Sequence, residues 1–524
     1  MTSRTRLLTA GAVTAAVALA GAGVGVASAA ADPPPLAFTS AAPDVIAERY
    51  TWDEGAHLYL DLGINVIAGK DPFEIRATRK SYADPIDAQQ YVVKNGKRKA
   101  VSLPAGMVTD WYGLKDFTTV SITNEAGTEV ANYQTDFCPN SYNSARTRRD
   151  APAETPYPQG CNGGNPFTLG AVWGIQAGWN GEVDSMPRRQ ELDLPDGKYK
   201  ATVTLNQRYR DYFKIAADDS AITVGVTVTT AERDKRGAAV AEARIKAARA
   251  GEDTSEQAAV AEHGEHAGQG DPKLQISAYK PGFRPPAKAP KAVKASSIAK
   301  GPRPDLRSLP AWGISLSQED EKWFVNFGAT VWNAGTSPLL VDGFRRTGTE
   351  LMDAYQYFFD AKGKEVGSVE AGTMEWDARE GHRHWHFTDF AQYNLLGSDQ
   401  KLAVRSGKEA FCLANTDAVD YTIPSAKWRP DNTDLSSSCG QNTAVAVREV
   451  LDIGNGDTYT QERPGQSFEI TDLPNGTYYI EVKANPADKL TELSTANNTA
   501  LREIRLGGTP DARTLEVPSV HGLD

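Results

Sequence analysis

Along most of the chain, apolar residues recur at every second position. Tyr199-Lys-Ala-Thr-Val-Thr-Leu205 and Tyr478-Tyr-Ile-Glu-Val-Lys483 show the alternation well. Side chains of an extended strand leave by opposite faces with period two, so such runs predict half-buried β-strands. Gly, Pro, Asn and Asp break the runs at short intervals, as tight turns require. Both flanks of the chain therefore read as all-β, each a β-sandwich. The pattern fails in between. From about Thr229 to Gly270 the sequence is rich in Ala and charge, a solvated helix or disordered spacer; from Pro272 to Pro304 it is rich in Pro, Lys and Ala, an extended linker.

The expected organisation is a signal segment at 1–31, an N-terminal β-sandwich at 40–230, a linker at 231–302, a second sandwich domain at 303–508 and a tail at 509–524. The first segment has Arg4 and Arg6, an apolar run from Leu7 to Val26 and Ala27-Ser28-Ala29 as a cleavage site. That is the pattern of a secretory signal, with an uncleaved anchor as the alternative. A secreted, extracellular protein with four cysteines predicts disulfides, not metal thiolates.

The two flanks also resemble each other. Leu194-Pro-Asp-Gly-Lys-Tyr199 mirrors Leu473-Pro-Asn-Gly-Thr-Tyr478, and Asp87-Ala-Gln-Gln-Tyr91 mirrors Asp353-Ala-Tyr-Gln-Tyr357. Trp111 precedes Cys138 by the same interval that separates Trp385 from Cys412. One disulfide per half, Cys138 with Cys161 and Cys412 with Cys439, is the simplest pairing. Shared order and spacing favour a tandem duplication over convergent patterning.

The formal net charge of −11 argues against nucleic acid as a partner and favours cationic ones. Beyond the leader no long apolar run follows, so no membrane association is expected after signal cleavage. Histidine is scarce, seven in the whole chain, yet three stand at alternate positions in Gly381-His382-Arg383-His384-Trp385-His386. In a strand His382, His384 and His386 leave by one face. Three converging imidazoles suit copper, zinc, iron or nickel, and inward-leaning rings from one strand favour a planar set with open positions, closer to copper than to a closed zinc site. The alternative is a surface strand with histidines by chance. The first half reads Asp110-Trp111-Tyr112 where the second reads His384-Trp385-His386, so it is expected to keep the fold and lack the metal.

The residues around the triplet resemble the lysyl oxidase family. The family's His-x-His-x-His strand and the Asp, Phe, Tyr and Leu-Leu that follow match His382, His384, His386, Asp389, Phe390, Tyr393 and Leu395-Leu396. Its Lys-x-x-Phe-Cys-Leu matches Lys408 to Leu413, its Asp-Thr-Tyr matches Asp457-Thr458-Tyr459, and its Asn-Pro and Asn-Asn match Asn485-Pro486 and Asn497-Asn498. The resemblance covers about residues 303–508. It implies copper on the three histidines and a lysine tyrosylquinone cofactor made from Lys408 and Tyr459. The implied reaction is oxidative deamination of primary amines, lysine side chains in peptides and proteins or small amines, to aldehydes with hydrogen peroxide and ammonia. Asp389 is a candidate proton acceptor, or a structural carboxylate bonded to backbone or to a ligand histidine. The family's calcium site corresponds to Asp305, Leu306, Glu492, Ser494, Asn497 and Asn498, with Ser494 in place of an aspartate. Gln392 stands where a histidine is usual, and the chain has fewer cysteines than its animal counterparts. Two rival readings remain: a three-histidine oxygenase or hydrolase that does not use Lys408 and Tyr459, and a non-catalytic, metal-stabilised extracellular binding module.

Overall fold

The computed structural model describes residues 36–230 and 288–523, apart from residues 53–54, 95, 162, 187–191, 320, 347–350, 379–383, 389, 406–409, 430–438 and 461–465. The leader and most of the 231–302 stretch therefore lie outside the described residues. What is described is nearly all strand, as the period-two pattern predicts. Among the described residues helix is confined to a short segment at Gln207–Phe213 and two single turns.

Among the described residues each half contains three sheets, and one strand order underlies both. In the first half Ile64–Ala68 pairs with Leu36–Ser40 and Asn180–Glu182; in the second, Lys322–Asn333 pairs with Leu306–Ser308 and Asn455–Tyr459. Phe73–Thr78 sits between Gly170–Ile175 and Asp87–Lys94, with Lys97–Ser102 beyond. Its counterpart Leu339–Arg345 sits between Ala446–Leu451 and Leu351–Phe359, with Glu365–Asp377 beyond. Gly197–Leu205 lies between Ala221–Thr230 and Leu114–Asn124, which carries Glu129–Phe137; Gly476–Ala484 lies between Thr499–Thr509 and Ala391–Leu396, which carries Leu402–Arg405. All these pairs are antiparallel.

Several of the repeated sequence landmarks take the same roles. Tyr199 and Tyr478 each donate a hydroxyl hydrogen bond of 2.8 Å to a proline carbonyl, Pro195 and Pro474, across the turn that opens their strand. Gln90 faces Ile75 and Gln356 faces Val341. The disulfides pair Cys138 with Cys161 and Cys412 with Cys439, one per half.

The halves differ in what is added to this order. The first carries Asp44–Trp52 and Gly55–Tyr59 beside Ala221–Thr230, the former parallel to it. The second adds His384–Thr388 and Ala410–Phe411 beyond Glu365–Asp377, and Asp417–Ala418 beside Asn455–Tyr459. Trp312–Glu319 and Ser467–Glu469 pair with Lys322–Asn333, and Ala512–Glu516 turns back on Thr499–Thr509 within the stretch expected as a tail.

Each half has its own core, with Trp173 and Phe137 in one and Trp385, Phe387 and Phe327 in the other. The halves also pack against each other. Phe167 joins Leu309, Trp332 and Val419, while Tyr157 and Val172 join Ala418 and Tyr421. Backbone bonds cross as well: the Leu169 amide donates to Val419 at 2.7 Å and the Tyr421 amide to Gly170 at 2.9 Å. A Cβ on Gly170 would stand 2.2 Å from an Asp420 side-chain oxygen, so a larger residue there would displace the Asp420 and Thr422 side chains. Before the second half's first strand, Ile298 is buried against Phe358 and Val369.

Candidate active site

The site is built on the strand His384–Thr388, paired antiparallel with Glu365–Asp377 so that His384 faces Asp377, Trp385 faces Trp376 and His386 faces Glu375. Alternation sends Trp385 and Phe387 into the core, where both are buried, and turns His384 and His386 the other way. Three contacts fix the strand. The Trp385 amide donates to the Cys439 carbonyl at 2.9 Å, its indole nitrogen donates to the Gln441 carbonyl at 3.0 Å, and the Arg345 guanidinium lies 4.8 Å over its ring. The second disulfide thus holds the histidine strand through backbone.

His384 and His386 converge, with their Nε2 atoms 2.8 Å apart. Two nitrogen ligands at about 2.0 Å from one ion and at right angles to each other stand about 2.8 Å apart, so the pair fits adjacent corners of a square-planar copper site. His386 is buried, and its Nδ1 lies 3.3 Å from an Asp377 carboxylate oxygen. A carboxylate facing Nδ1 at this distance favours a proton there and so leaves the Nε2 lone pair free for a metal. His382, the third predicted ligand, lies outside the described residues, as do Asp389 and Lys408. Among the described residues no cluster of three His, Cys, Asp or Glu has metal-holding geometry.

Tyr459 ends the strand Asn455–Tyr459, opposite Ala329. Its hydroxyl donates to the Cys412 carbonyl at 3.1 Å, and its ring packs edge-on against Phe411 at 4.9 Å. Phe411 in turn faces Phe387, the residue after His386. The tyrosine therefore rests on the segment that follows Lys408, one strand away from the histidines.

Several residues the sequence reading did not assign converge here. Asp377 is one. Glu449 is another: fully buried, it accepts the Leu413 amide at 2.9 Å and the Phe387 amide, and so ties the two strands of the site together. Burial, with Asp457 as a neighbouring charge, pushes its carboxyl well above the ordinary glutamate value. Asp457 also adds to the burial that raises the Tyr393 phenol. One signal for Glu449 was available. Val447, Glu449 and Leu451 alternate onto one buried face, and an acid on such a face is expensive unless it has a task.

The residues expected to hold calcium are brought together. Glu492 accepts the Leu306 amide and the side-chain amides of Asn485 and Asn498, each at 2.8 Å. Asp305 accepts Arg307 at 2.9 Å and Asn497 at 3.2 Å. The Ser494 hydroxyl instead accepts the Ala496 amide in a local turn. The side-chain oxygens of Asn497 and Asn498 are buried without a hydrogen-bond partner among the described residues. Both amides present nitrogen to the carboxylates; a bound cation would require them to turn oxygen inward.

The profile of the lysyl oxidase family matches residues 359–513. Pig protein-lysine 6-oxidase is 30% identical over 135 residues, 25% of this chain and 48% of the relative. The human protein of the same name is also 30% identical over 135 residues, there 28% of the relative. Mouse lysyl oxidase homolog 4 is 27% identical over 130 residues, 15% of its length. The matched stretch thus spans less than half of these relatives. The matched range takes in His384, His386, Cys412, Cys439 and Tyr459, and begins after Asp305 and Leu306.

Proposed function

The chain belongs to the lysyl oxidase family through residues 359–513, and from that premise we propose that it is a secreted, copper- and quinone-dependent oxidase of primary amines. The substrates are lysine side chains of peptides and proteins, or small amines. One amine, one oxygen and one water give one aldehyde, one ammonia and one hydrogen peroxide. The observation that carries the reading is the convergence of His384 and His386 beside a strand whose next residues receive Tyr459. The bound copper and the quinone made from Lys408 and Tyr459 would supply an electrophilic carbonyl for the amine and a two-electron path to oxygen.

This chain's own residues do the rest. His382, His384 and His386 hold the copper, with Asp377 fixing the His386 ring. Phe411 braces the Tyr459 ring, and the Cys412 carbonyl orients its hydroxyl. Glu449 holds the amides of Phe387 and Leu413 at a fixed separation, so the histidine strand and the Lys408 segment move together. Asp389 is the proposed proton acceptor. Asp305, Leu306, Glu492, Ser494, Asn497 and Asn498 form a proposed calcium site closing the domain's two ends. Residues 40–230 are a non-catalytic copy in this reading, supported by the shared strand order and by Asp110 and Tyr112 in place of histidines. The disulfides, and the lack among the described residues of any helix long and apolar enough to cross a membrane, are compatible with export.

The test is phenylhydrazine labelling of copper-loaded, aerated protein followed by peptide mass mapping. A hydrazone on a peptide joining the Lys408 and Tyr459 segments is expected, and Lys408→Arg or Tyr459→Phe should abolish both label and oxidase activity. Unmodified peptides with copper fully bound would sink the proposal and favour a metal-stabilised binding module.

A further inference from the structure

A buried side-chain chain crosses from the first half to the strand that carries Tyr459. Asn165 is 2% exposed and belongs to the first half. Its Oδ1 accepts the Phe167 amide at 2.9 Å, which fixes the side chain. Its Nδ2 donates twice into the second half, to Thr330 Oγ1 at 3.1 Å and to Asp417 Oδ2 at 2.9 Å. Thr330 and Thr458 face each other in the sheet, their hydroxyls 2.6 Å apart, and Thr458 donates to the same Asp417 oxygen. The Trp312 indole also reaches Thr330 Oγ1, at 3.3 Å.

Donor accounting gives this chain one direction. Thr330 Oγ1 receives Asn165 and Trp312 and so donates to Thr458; Thr458 in turn donates to the Asp417 carboxylate, which receives Asn165 as well. Every proton has a place, and removing Asn165 takes one of two donors from each of two buried acceptors of the second half, Thr330 Oγ1 and Asp417 Oδ2. Thr458 precedes Tyr459, so the two side chains leave opposite faces of the strand. Fixing Thr458 from one side sets the pleat that aims Tyr459 at Phe411 and Cys412 on the other.

We propose that Asn165 is a positioning residue for Tyr459: the first half acts as a clamp that holds the quinone-forming tyrosine in place. The inference rests on the reading of Tyr459 as the cofactor precursor. The packing of Phe167 against Val419 and the backbone bonds at Leu169 and Gly170 support the same junction along Asp417–Ala418, the strand beside Asn455–Tyr459.

The experiment uses the full chain and two readouts besides turnover: hydrogen exchange of amides 455–459 in metal-free protein, and the rate at which copper and air generate the Lys408–Tyr459 cross-linked peptide. Asn165→Ala should speed exchange in 455–459 at least tenfold and slow cross-linking by a similar factor, while exchange in 197–205 stays as in the parent. Asn165→Asp, which sets two carboxylates face to face, should do more. Asn165→Asp combined with Asp417→Asn reverses donor and acceptor and should restore both readouts, which a loss of packing alone would not. Parent-like exchange and cross-linking in Asn165→Ala overturn the clamp, as does a folded double variant that restores nothing. If the parent protein itself forms no cross-link, the oxidase reading fails, and the exchange measurement still decides whether Asn165 holds the strand.

Discussion

Ile75 lies between Gln90 and Trp173; Val341, at the matching place in the second half, lies between Gln356 and Glu449. Trp173 fills its position with apolar surface and donates its indole N–H to the Cys161 carbonyl. Glu449 fills the equivalent position with a buried carboxylate that binds amides on both sides of the site. The same contrast recurs nearby. The first half passes from Lys97–Ser102 to Leu114–Asn124 through turns, where the second inserts His384–Thr388 as a further strand. At this position one strand order thus supports two outcomes: an apolar side chain, and a buried carboxylate beside added strands. The difference teaches where the chemistry resides. In the proposed reading it is absent from the shared framework and belongs to the added strand His384–Thr388 and the acids behind it.

The largest expected effect is at His386. His386→Ala removes one of the two converging imidazoles and leaves Asp377 without its partner. Copper retained after dialysis should fall from one per chain to near zero, and the cross-link should not form. Retention of a full equivalent would show that the metal is held elsewhere. The disulfides come next and separate the halves more finely. Loop closure predicts a cost of about 3.5 kcal/mol for losing either one, since their loops are of similar length. Replacing both cysteines of either pair should therefore lower stability by similar amounts. Only the Cys412–Cys439 pair touches the site, through the Trp385 amide and the Tyr459 hydroxyl, so only its loss should reduce cross-linking in protein still folded at the assay temperature. Equal losses of cross-linking from both pairs would remove the distinction.

Much of this was legible in the sequence, for physical reasons that differ by residue. Period-two alternation exposes strands because burial has a single side, and the Leu-Pro-Asp-Gly and Leu-Pro-Asn-Gly turns marked equivalent strands because Tyr199 and Tyr478 need that turn to reach a proline carbonyl. The histidine spacing showed that His384 and His386 share a face. It could not show that Asp377 stands behind them, since that depends on hairpin register. Glu449 offered only an acid on an apolar face. The packing of Phe167 and Asn165 into the second half was not legible, because no local pattern records which surfaces meet across so long a connection.

Buried acids give the second half a pH dependence that an apolar strand cannot have. Asp452 is 1% exposed, and burial pushes its carboxyl from 3.8 up to about 6. A carboxyl raised in the folded state binds its proton more tightly there than in the unfolded chain. Stability from this group is therefore present below about pH 4 and is lost as pH rises toward 6. The loss amounts to about 3 kcal/mol at most by this accounting. Asp452→Asn should leave the melting temperature unchanged near pH 4 and raise it by several degrees at pH 7, measured by calorimetry. A pH-independent difference would mean that Asp452 is already ionised at little cost. Glu449→Gln should act in the same direction, because burial also raises that carboxyl in the folded state. Its gain at neutral pH is set against the cost of burying an unpartnered polar atom, about 1–3 kcal/mol, with slower cross-linking if its two amide bonds position the strands.

The smallest expected effect is the sharpest test of where the chemistry lies. Asp110→His with Tyr112→His would give the first half the His-Trp-His order of the second. Composition alone would then predict a new copper site. The structure predicts none, because residues 110–113 form turns and are not a strand paired to a neighbour. Asp110 itself accepts the Tyr112 amide at 2.9 Å, an arrangement of a bend in which side chains do not alternate onto one face. Without a partner strand there is also no carboxylate at the place of Asp377 to fix an imidazole. Copper titration of this variant on a His386→Ala background, followed by competition with a chelator, should show no tight equivalent. A tight equivalent would mean that the shared framework already places these positions for metal binding, and that the added strand His384–Thr388 is not what makes the site.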